Sequence, residues 1–197
     1  MKHIGVFLDR DGTINEEIDF LSSPEELSLI PEYAAAIKVA NELGLKVFIT
    51  TNQSGISRGL LTEERLTEIH KSLQHLLQES DAYVDAIYYC PHHPEIGEEP
   101  YRMECECRKP NIGMLTRAAN EFDVDLKKSF VIGDRLIDIQ TGNNCGAVSI
   151  LVLTGYGKQE LELPSAHDVQ IQYIAENLYD AMQYVKRILH HEQHPAR

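Results

Sequence analysis

Short apolar runs alternate with helix-patterned stretches along this chain, and four of the runs end at a residue equipped for chemistry. Residues 4–8 stop at Asp9, residues 45–50 at Thr51, and residues 84–89 at Cys90; residues 129–132 are followed by Gly133 and Asp134. A fifth run covers residues 147–153. Each is short and bounded by turn residues, as a buried strand would be. The stretches between them carry helical spacing. In residues 31–43 the apolar positions are Tyr33, Ile37, Ala40 and Leu43, with Gly44 placed as a C-cap. In residues 62–80 the stripe is Leu66, Ile69, Leu73, Leu76 and Leu77. Residues 111–122 and 136–143 read as further helices, and 177–191 as a terminal one, with residues 190–197 expected to fray. Strands that alternate with helices predict an α/β fold with a parallel, doubly wound sheet. Ligands of such a sheet sit at the carboxyl ends of the strands, where these four residues fall.

Asp9-Arg10-Asp11-Gly12-Thr13 follows the first strand directly. Two carboxylates two residues apart around a tight turn can face one site, and the glycine permits the turn. Transfer of a phosphoryl group needs a nucleophile, a proton donor and cations for the phosphoryl oxygens; Asp9 and Asp11 can supply the first two. The same pattern also occurs in plain turns and calcium loops, so it does not decide alone. Thr51, Asn52, Gln53, Ser54 and Gly55 follow the second strand and offer a hydroxyl, amides and backbone donors suited to a phosphate. Arg108 and Lys109 are two adjacent cations before a helix, and Asp138 comes four residues after Asp134. Aspartates gathered at strand ends are costly without a cation, and Mg²⁺, which prefers carboxylate and carbonyl oxygens, would relieve them.

With 197 residues the chain fills one full-sized core, so residues 1–197 are expected to form a single unit. The net charge of −13 argues against a nucleic-acid partner, which would need a basic field. Small phosphorylated molecules remain possible if a few cations converge. No apolar run approaches a membrane span of roughly 20 residues, and the first apolar run meets Asp9 too early for a signal peptide. A cytoplasmic location is expected. The apolar stripe of the terminal helix, with Ile188 and Leu189, suits packing on the sheet as well as a dimer; a monomer is the expectation.

Three of the four cysteines lie in residues 90–108. Cys90, His92, Cys105 and Cys107 match a structural tetrahedral Zn²⁺ site of three thiolates and one imidazole, which would fix a loop that has little apolar content of its own. His93 is either solvent-facing or a neighbour of the substrate. Cys145, apart from the cluster, is expected to be a small buried apolar side chain. His190, His191 and His194 are expected to mark a solvated end rather than a further metal site.

The order Asp9-x-Asp11-Gly12-Thr13, then Thr51, then Lys109, then Gly133-Asp134-x-x-x-Asp138 resembles the four motifs of the haloacid-dehalogenase superfamily of phosphotransferases, over roughly residues 4–154. The resemblance implies a Rossmann-like core and an aspartyl-phosphate on Asp9. It implies that Asp11 protonates the leaving group and then deprotonates water. Thr51 and Lys109 would hold the phosphoryl oxygens; Asp9, the backbone carbonyl of Asp11, and Asp134 would ligate Mg²⁺. Asp138 is either a support for the metal or Lys109, or a solvated helix carboxylate. The intervals between the motifs leave no room for a large cap, so the fold is expected to be essentially capless. The cysteine loop narrows the resemblance to a zinc-loop subgroup of phosphatases, which acts on heptose bisphosphates or on histidinol phosphate. The twelve-residue gap before Cys105 and the segment Cys-x-Cys-Arg-Lys-Pro are more similar to the heptose type. A sugar bisphosphate is then the expected substrate, with histidinol phosphate the alternative. Arg108, Arg58 and Arg135 would be candidates for its second phosphate or hydroxyls, and Asn15, Asn52 and Ser54 for its neighbours. A zinc-stabilised binding module with inert aspartates is the alternative of a different class.

Overall fold

The computed structural model describes residues 2–29 and 31–193. Six strands form one parallel sheet: β1 (Gly5–Leu8), β2 (Lys46–Asn52), β3 (Ala86–Cys90), β4 (Phe130–Gly133), β5 (Val148–Val152) and β6 (Tyr173–Ala175). Their order is β3-β2-β1-β4-β5-β6. The chain therefore winds outward from β1 through β2 to β3, then returns to β4 and winds the other way. The strand order reverses between β1 and β4, and a crevice opens at that switch point.

The helices are α1 (Pro31–Glu42), α2 (Glu63–Glu79), α3 (Gly113–Phe122), α4 (Leu136–Cys145), α5 (Gly157–Leu161) and α6 (Leu178–Gln193). Successive strand residues point to opposite faces. Val6 and Leu8 therefore join Val47, Ile49, Ile132 and Ile150 in the core that α1, α2 and α6 cover. Phe7, Phe48 and Val131 face the other way, against Met114, Leu115 and Ala118 of α3. Phe7 stacks on Phe48 at 5.0 Å between ring centroids, and Phe122 meets Phe48 edge-on at 5.1 Å.

The predicted elements are present with shifted ends. The ladder between β2 and β3 continues through Thr51↔Tyr89 and Asn52↔Cys90, so Thr51, Asn52 and Cys90 are strand residues rather than the loop residues after a strand. The third helix starts at Gly113, two residues later than its apolar pattern suggested. The fourth continues to Cys145 and ends on Gly146 in the left-handed conformation, φ 76°. The terminal helix extends through Gln193 rather than fraying from residue 190; residues 194–197, His194 among them, lie outside the described residues. β6 and α5 were not anticipated: one has three residues and the other five, too few to show a period. Between β1 and α1 the described residues hold one 3₁₀ turn, Pro24–Glu26, and no cap domain. Among the described residues no helix is long and apolar enough to cross a membrane.

Candidate active site

The carboxyl ends of β1 and β4 bring Asp9 and Asp134 side by side, and α4 delivers Asp138 to the same point. Asp9 extends the ladder, its N–H donating to the Ile132 carbonyl at 2.9 Å. The turn beyond it depends on Gly12, at φ +75°, where a Cβ would run into the Asp134 carboxylate. Gly133 is required for a similar reason, since a Cβ there would strike the Asp138 carboxylate. Asp9, Asp134 and Asp138 each offer an oxygen within 4.8 Å of the others, and all three are buried.

One cation meets this cluster. Lys109, 3% exposed, donates from Nζ to Asp9 Oδ1 at 2.8 Å and to Asp138 Oδ1. Burial works against its ammonium, but the Asp138 and Asp9 carboxylates overcome that and hold its pKa above the usual lysine range. Asp138 also accepts the Arg135 N–H at 3.2 Å. It is thus a buried partner of Lys109 and not a solvated helix carboxylate.

Three carboxylates against one ammonium leave the site short of positive charge. Burial, reinforced by Asp9 and Asp138, raises Asp134 to about 8; burial also raises Asp9 to about 6, although Lys109 opposes it. Asp134 Oδ2 accepts the Tyr156 N–H at 2.8 Å, whereas Oδ1 is buried with no hydrogen-bond partner. An orphaned carboxylate oxygen beside two other acids fits a hard divalent cation.

Asp11 lies on the other side of the turn, its side chain 19% exposed, with a carboxylate saturated by donors. Arg10 contacts it at 2.8, 2.9 and 3.0 Å, Asn15 Nδ2 donates at 3.0 Å and Gln53 Nε2 at 2.9 Å. Burial would raise its pKa, but Arg10, Asn15 and Gln53 outweigh burial and hold it below the usual carboxylate range. This arrangement favours the ionised form that accepts a proton. Asn15, expected beside a substrate, is instead 1% exposed beneath Asp11, bonded to it and to the Glu16 carbonyl.

Gln53 ties the two sides together, donating to Asp11 and to Thr51 Oγ1 at 2.9 Å each. The Thr51 hydroxyl therefore has its own proton free to donate. Asn52 grips the backbone of Lys109 both ways, Oδ1 accepting its N–H at 3.1 Å and Nδ2 donating to its carbonyl at 3.3 Å.

Above this floor lies a cavity of about 450 Å³. Asp9, Asp11, Thr51, Asn52 and Lys109 line it, with Ser54 beside them. Arg58, His93 and Arg108 line it as well, the two arginines close enough to depress the His93 pKa after burial has done so. Arg58 rests over the Phe20 ring at 5.4 Å, and Arg108 Nη1 donates to the His92 carbonyl at 2.9 Å. Arg135 also reaches the cavity but is engaged elsewhere, 4.7 Å over Tyr156 and 3.7 Å from Glu160. Sequence reasoning missed Glu17, a lining residue that burial, then Asp11 and Asp9, raise to about 7. It missed Gln53 as an organiser, although the polar segment after β2 contained it.

The second cluster sits where β3 runs into its loop. Cys107 Sγ lies 3.1 Å from Cys90 Sγ, 3.3 Å from Cys105 Sγ and 3.4 Å from His92 Nδ1. All three cysteines are free thiols. Sulfur atoms so placed, without a disulfide, describe a slightly contracted tetrahedron of the size a zinc ion requires, whose edges at Zn–S of about 2.3 Å would be near 3.8 Å. His93 beside it is held by the loop: its N–H donates to the Tyr101 carbonyl at 3.0 Å, and Nδ1 accepts the Glu95 and Ile96 N–H groups at 3.1 Å each. Tyr101 and Tyr89 both donate their hydroxyls to Glu63 at the start of α2, fastening the loop to the helix layer. Cys145 belongs to neither cluster. It is half-buried, rather than fully buried as expected, because it sits at the end of α4 with Sγ 3.3 Å from the Gly142 carbonyl.

Comparison with known proteins points one way. The HAD-hydrolase-like family model matches residues 106–181. The chain is 40% identical over 189 residues to the D-glycero-D-manno-heptose-1,7-bisphosphate 7-phosphatase of Thermosynechococcus vestitus, covering 94% of this chain and 96% of that one. It is 34% identical over 194 residues to the D-glycero-beta-D-manno-heptose-1,7-bisphosphate 7-phosphatase of Escherichia coli K12, covering 98% and 96%. Among solved structures it is similar to the D,D-heptose 1,7-bisphosphate phosphatase from B. bronchiseptica complexed with magnesium and phosphate. That match has a TM-score of 0.81 at 33% identity and covers 94% of this chain and 99% of that one.

Proposed function

The chain is a phosphatase belonging to the haloacid-dehalogenase-like hydrolase family, and from that membership we propose that it removes the 7-phosphate of D-glycero-D-manno-heptose 1,7-bisphosphate with Asp9 as nucleophile. The observation that carries the proposal is the pairing, in one cavity, of the Asp9–Lys109 contact at 2.8 Å with the two separate cations Arg58 and Arg108, which flank the neutral imidazole of His93. One end suits a reacting phosphate and the other a second anionic group on the same small molecule.

Asp9 attacks with the oxygen that Lys109 does not hold. A bond forms between that oxygen and phosphorus, and the bond from phosphorus to the sugar oxygen breaks. Asp11 first takes up the proton carried by the phosphate monoanion and gives it to the departing alkoxide, and the phosphate is carried on Asp9. Asp11, now ionised, takes a proton from water, whose oxygen attacks phosphorus and frees Asp9. Five hydrogen bonds to Asp11, from Arg10, Asn15 and Gln53, favour the ionised state needed for this second step. Lys109 and the Thr51 hydroxyl face the phosphoryl oxygens, where charge develops. Asp9, the Asp11 backbone carbonyl, and Asp134 would hold Mg²⁺, which when bound neutralises the acids and the phosphoryl oxygens. Cys90, His92, Cys105 and Cys107 would hold a structural Zn²⁺ that fixes the loop carrying His93 and Arg108.

The test is phosphate release from heptose 1,7-bisphosphate and from histidinol phosphate, measured side by side with Mg²⁺ and with EDTA. Preference for the heptose substrate that EDTA abolishes supports the proposal. Preference for histidinol phosphate overturns the substrate, and no Mg²⁺-dependent release from either overturns the site reading as a whole.

A further inference from the structure

Arg10 stands between the two reacting aspartates in sequence, yet it does not line the cavity and is 1% exposed. A guanidinium removed from water needs acceptors arranged around it. Its Nε and Nη2 fork onto the Asp11 carboxylate at 2.8 to 3.0 Å, and among the described residues Asp11 is its one acidic partner. On its far side Nη1 lies 3.3 Å from His70 Nε2. A guanidinium only donates, so His70 Nε2 accepts and the ring carries its proton on Nδ1. Burial and the charge of Arg10 push His70 down to about 3, which keeps the ring in this accepting form. His70 belongs to the buried stripe of α2, so the support comes from a helix rather than a loop.

We propose that Arg10, backed by His70, is a positioning residue that fixes the orientation from which the Asp11 carboxylate exchanges protons with the leaving group and with water. This rests on the reading of Asp11 as the proton donor. The planar fork sets both carboxylate oxygens at once, which a lysine ammonium cannot do. The Arg10 side chain makes no hydrogen bond to Asp9, Lys109 or Thr51, so neither the nucleophile nor the Lys109 contact is held by it directly.

The leaving group separates this role from a structural one. An alkoxide needs a proton as it departs, whereas p-nitrophenolate is stable as an anion near neutral pH. First-turnover release is measured for heptose 1,7-bisphosphate and p-nitrophenyl phosphate with Arg10→Met, Arg10→Lys and Asp11→Asn, each at saturating Mg²⁺. Arg10→Met is expected to slow release from the sugar about 100-fold while the nitrophenolate burst changes less than about threefold, with Arg10→Lys between it and the parent. Equal slowing of both substrates by a folded Arg10→Met variant, or no slowing of either, overturns the proposal. Should Arg10→Met fail to fold, His70→Gln is read in its place, with about a tenfold loss expected on the sugar alone; an equal loss on both substrates, or none, is then the overturning result. If Asp11→Asn itself slows both substrates alike, the reading of Asp11 is wrong and the Arg10 proposal falls with it. If Asp11→Asn separates them and Arg10→Met does not, the Arg10 proposal alone is wrong.

Discussion

Lys109 reaches back 100 residues to place its ammonium 2.8 Å from Asp9 Oδ1, and the same nitrogen binds Asp138. The contact joins a loop that precedes α3 to the end of β1 and the first turn of α4. Among the described residues Lys109 is the one ammonium that meets these three buried carboxylates. Replacing it with methionine leaves those acids without a counter-charge. Lys109→Met is expected to lose about 100-fold or more in turnover, by analogy with the removal of a charge-stabilising donor. Without Mg²⁺ it is expected to lose about 3 kcal/mol or more of stability, as when one partner of a buried pair is deleted. Phosphate-release assays and urea titrations check both. A variant as active and as stable as the parent would remove Lys109 from the site.

The buried acids also set how the protein responds to pH when no metal is bound. The folded state raises Asp134 to about 8 and Asp9 to about 6, from ordinary values of 3.8. Between those limits the folded protein holds protons that the unfolded chain has released. Stability of the metal-free form therefore falls as pH rises from about 4 through about 8. Mg²⁺ takes the place of those protons, so its stabilising effect grows over the same range. Melting temperatures with EDTA and with Mg²⁺ at pH 5.5 and pH 8 give the readout. A shift that is larger at pH 5.5 contradicts this arrangement.

His70 acts in the opposite direction. Burial, then Arg10, depress it from 6.5 to about 3, so the unfolded chain binds a proton that the fold refuses. This contribution is neutral above about 6.5 and becomes a penalty as pH falls toward about 3. His70→Gln is expected to flatten the decline in stability across that window by a few kcal/mol at most. Chemical denaturation at pH 7, 5 and 4 measures it, and an unchanged slope would mean that His70 is protonated in the fold.

Losing the ligand cluster of the loop is expected to affect substrate binding more than bond breaking. Cys107→Ser, or treatment with a thiol-competing chelator, frees the segment that holds His93 and Arg108. KM for the bisphosphate is expected to rise by about tenfold or more, the value of one lost ion-pair contact of about 1.4 kcal/mol, while kcat on p-nitrophenyl phosphate stays within about twofold. An equal fall in kcat on both substrates would place the loop in the chemistry itself. Metal analysis of the purified protein reports whether zinc is present at one equivalent.

What could be read from the sequence was local. The runs before Asp9 and Asp134 show their strands because apolar residues sit together, and the paired carboxylates lie within three positions of each other. The cysteine cluster shows itself by residue type. Relations that only the fold creates were hidden. Asp138 could have been a solvated helix residue until packing placed it against Lys109. Asn15 looked like a substrate neighbour because it follows the motif, but the turn folds it under Asp11. Arg10 gave no sign of burial, because an arginine between two aspartates usually remains in solvent. β6 carries an exposed Ile174 between two less exposed residues, too little pattern to mark an edge strand.

Asn52 pairs with Cys90 in the β2–β3 ladder, where the cysteine loop begins, and binds both backbone groups of Lys109, where that loop ends. A single residue thus fastens the two ends of an excursion of nearly twenty positions. Chain can be added to or trimmed from the interior of that excursion without moving the lysine that serves the nucleophile. In this architecture the choice of substrate can drift over generations while the reaction chemistry stays where it was.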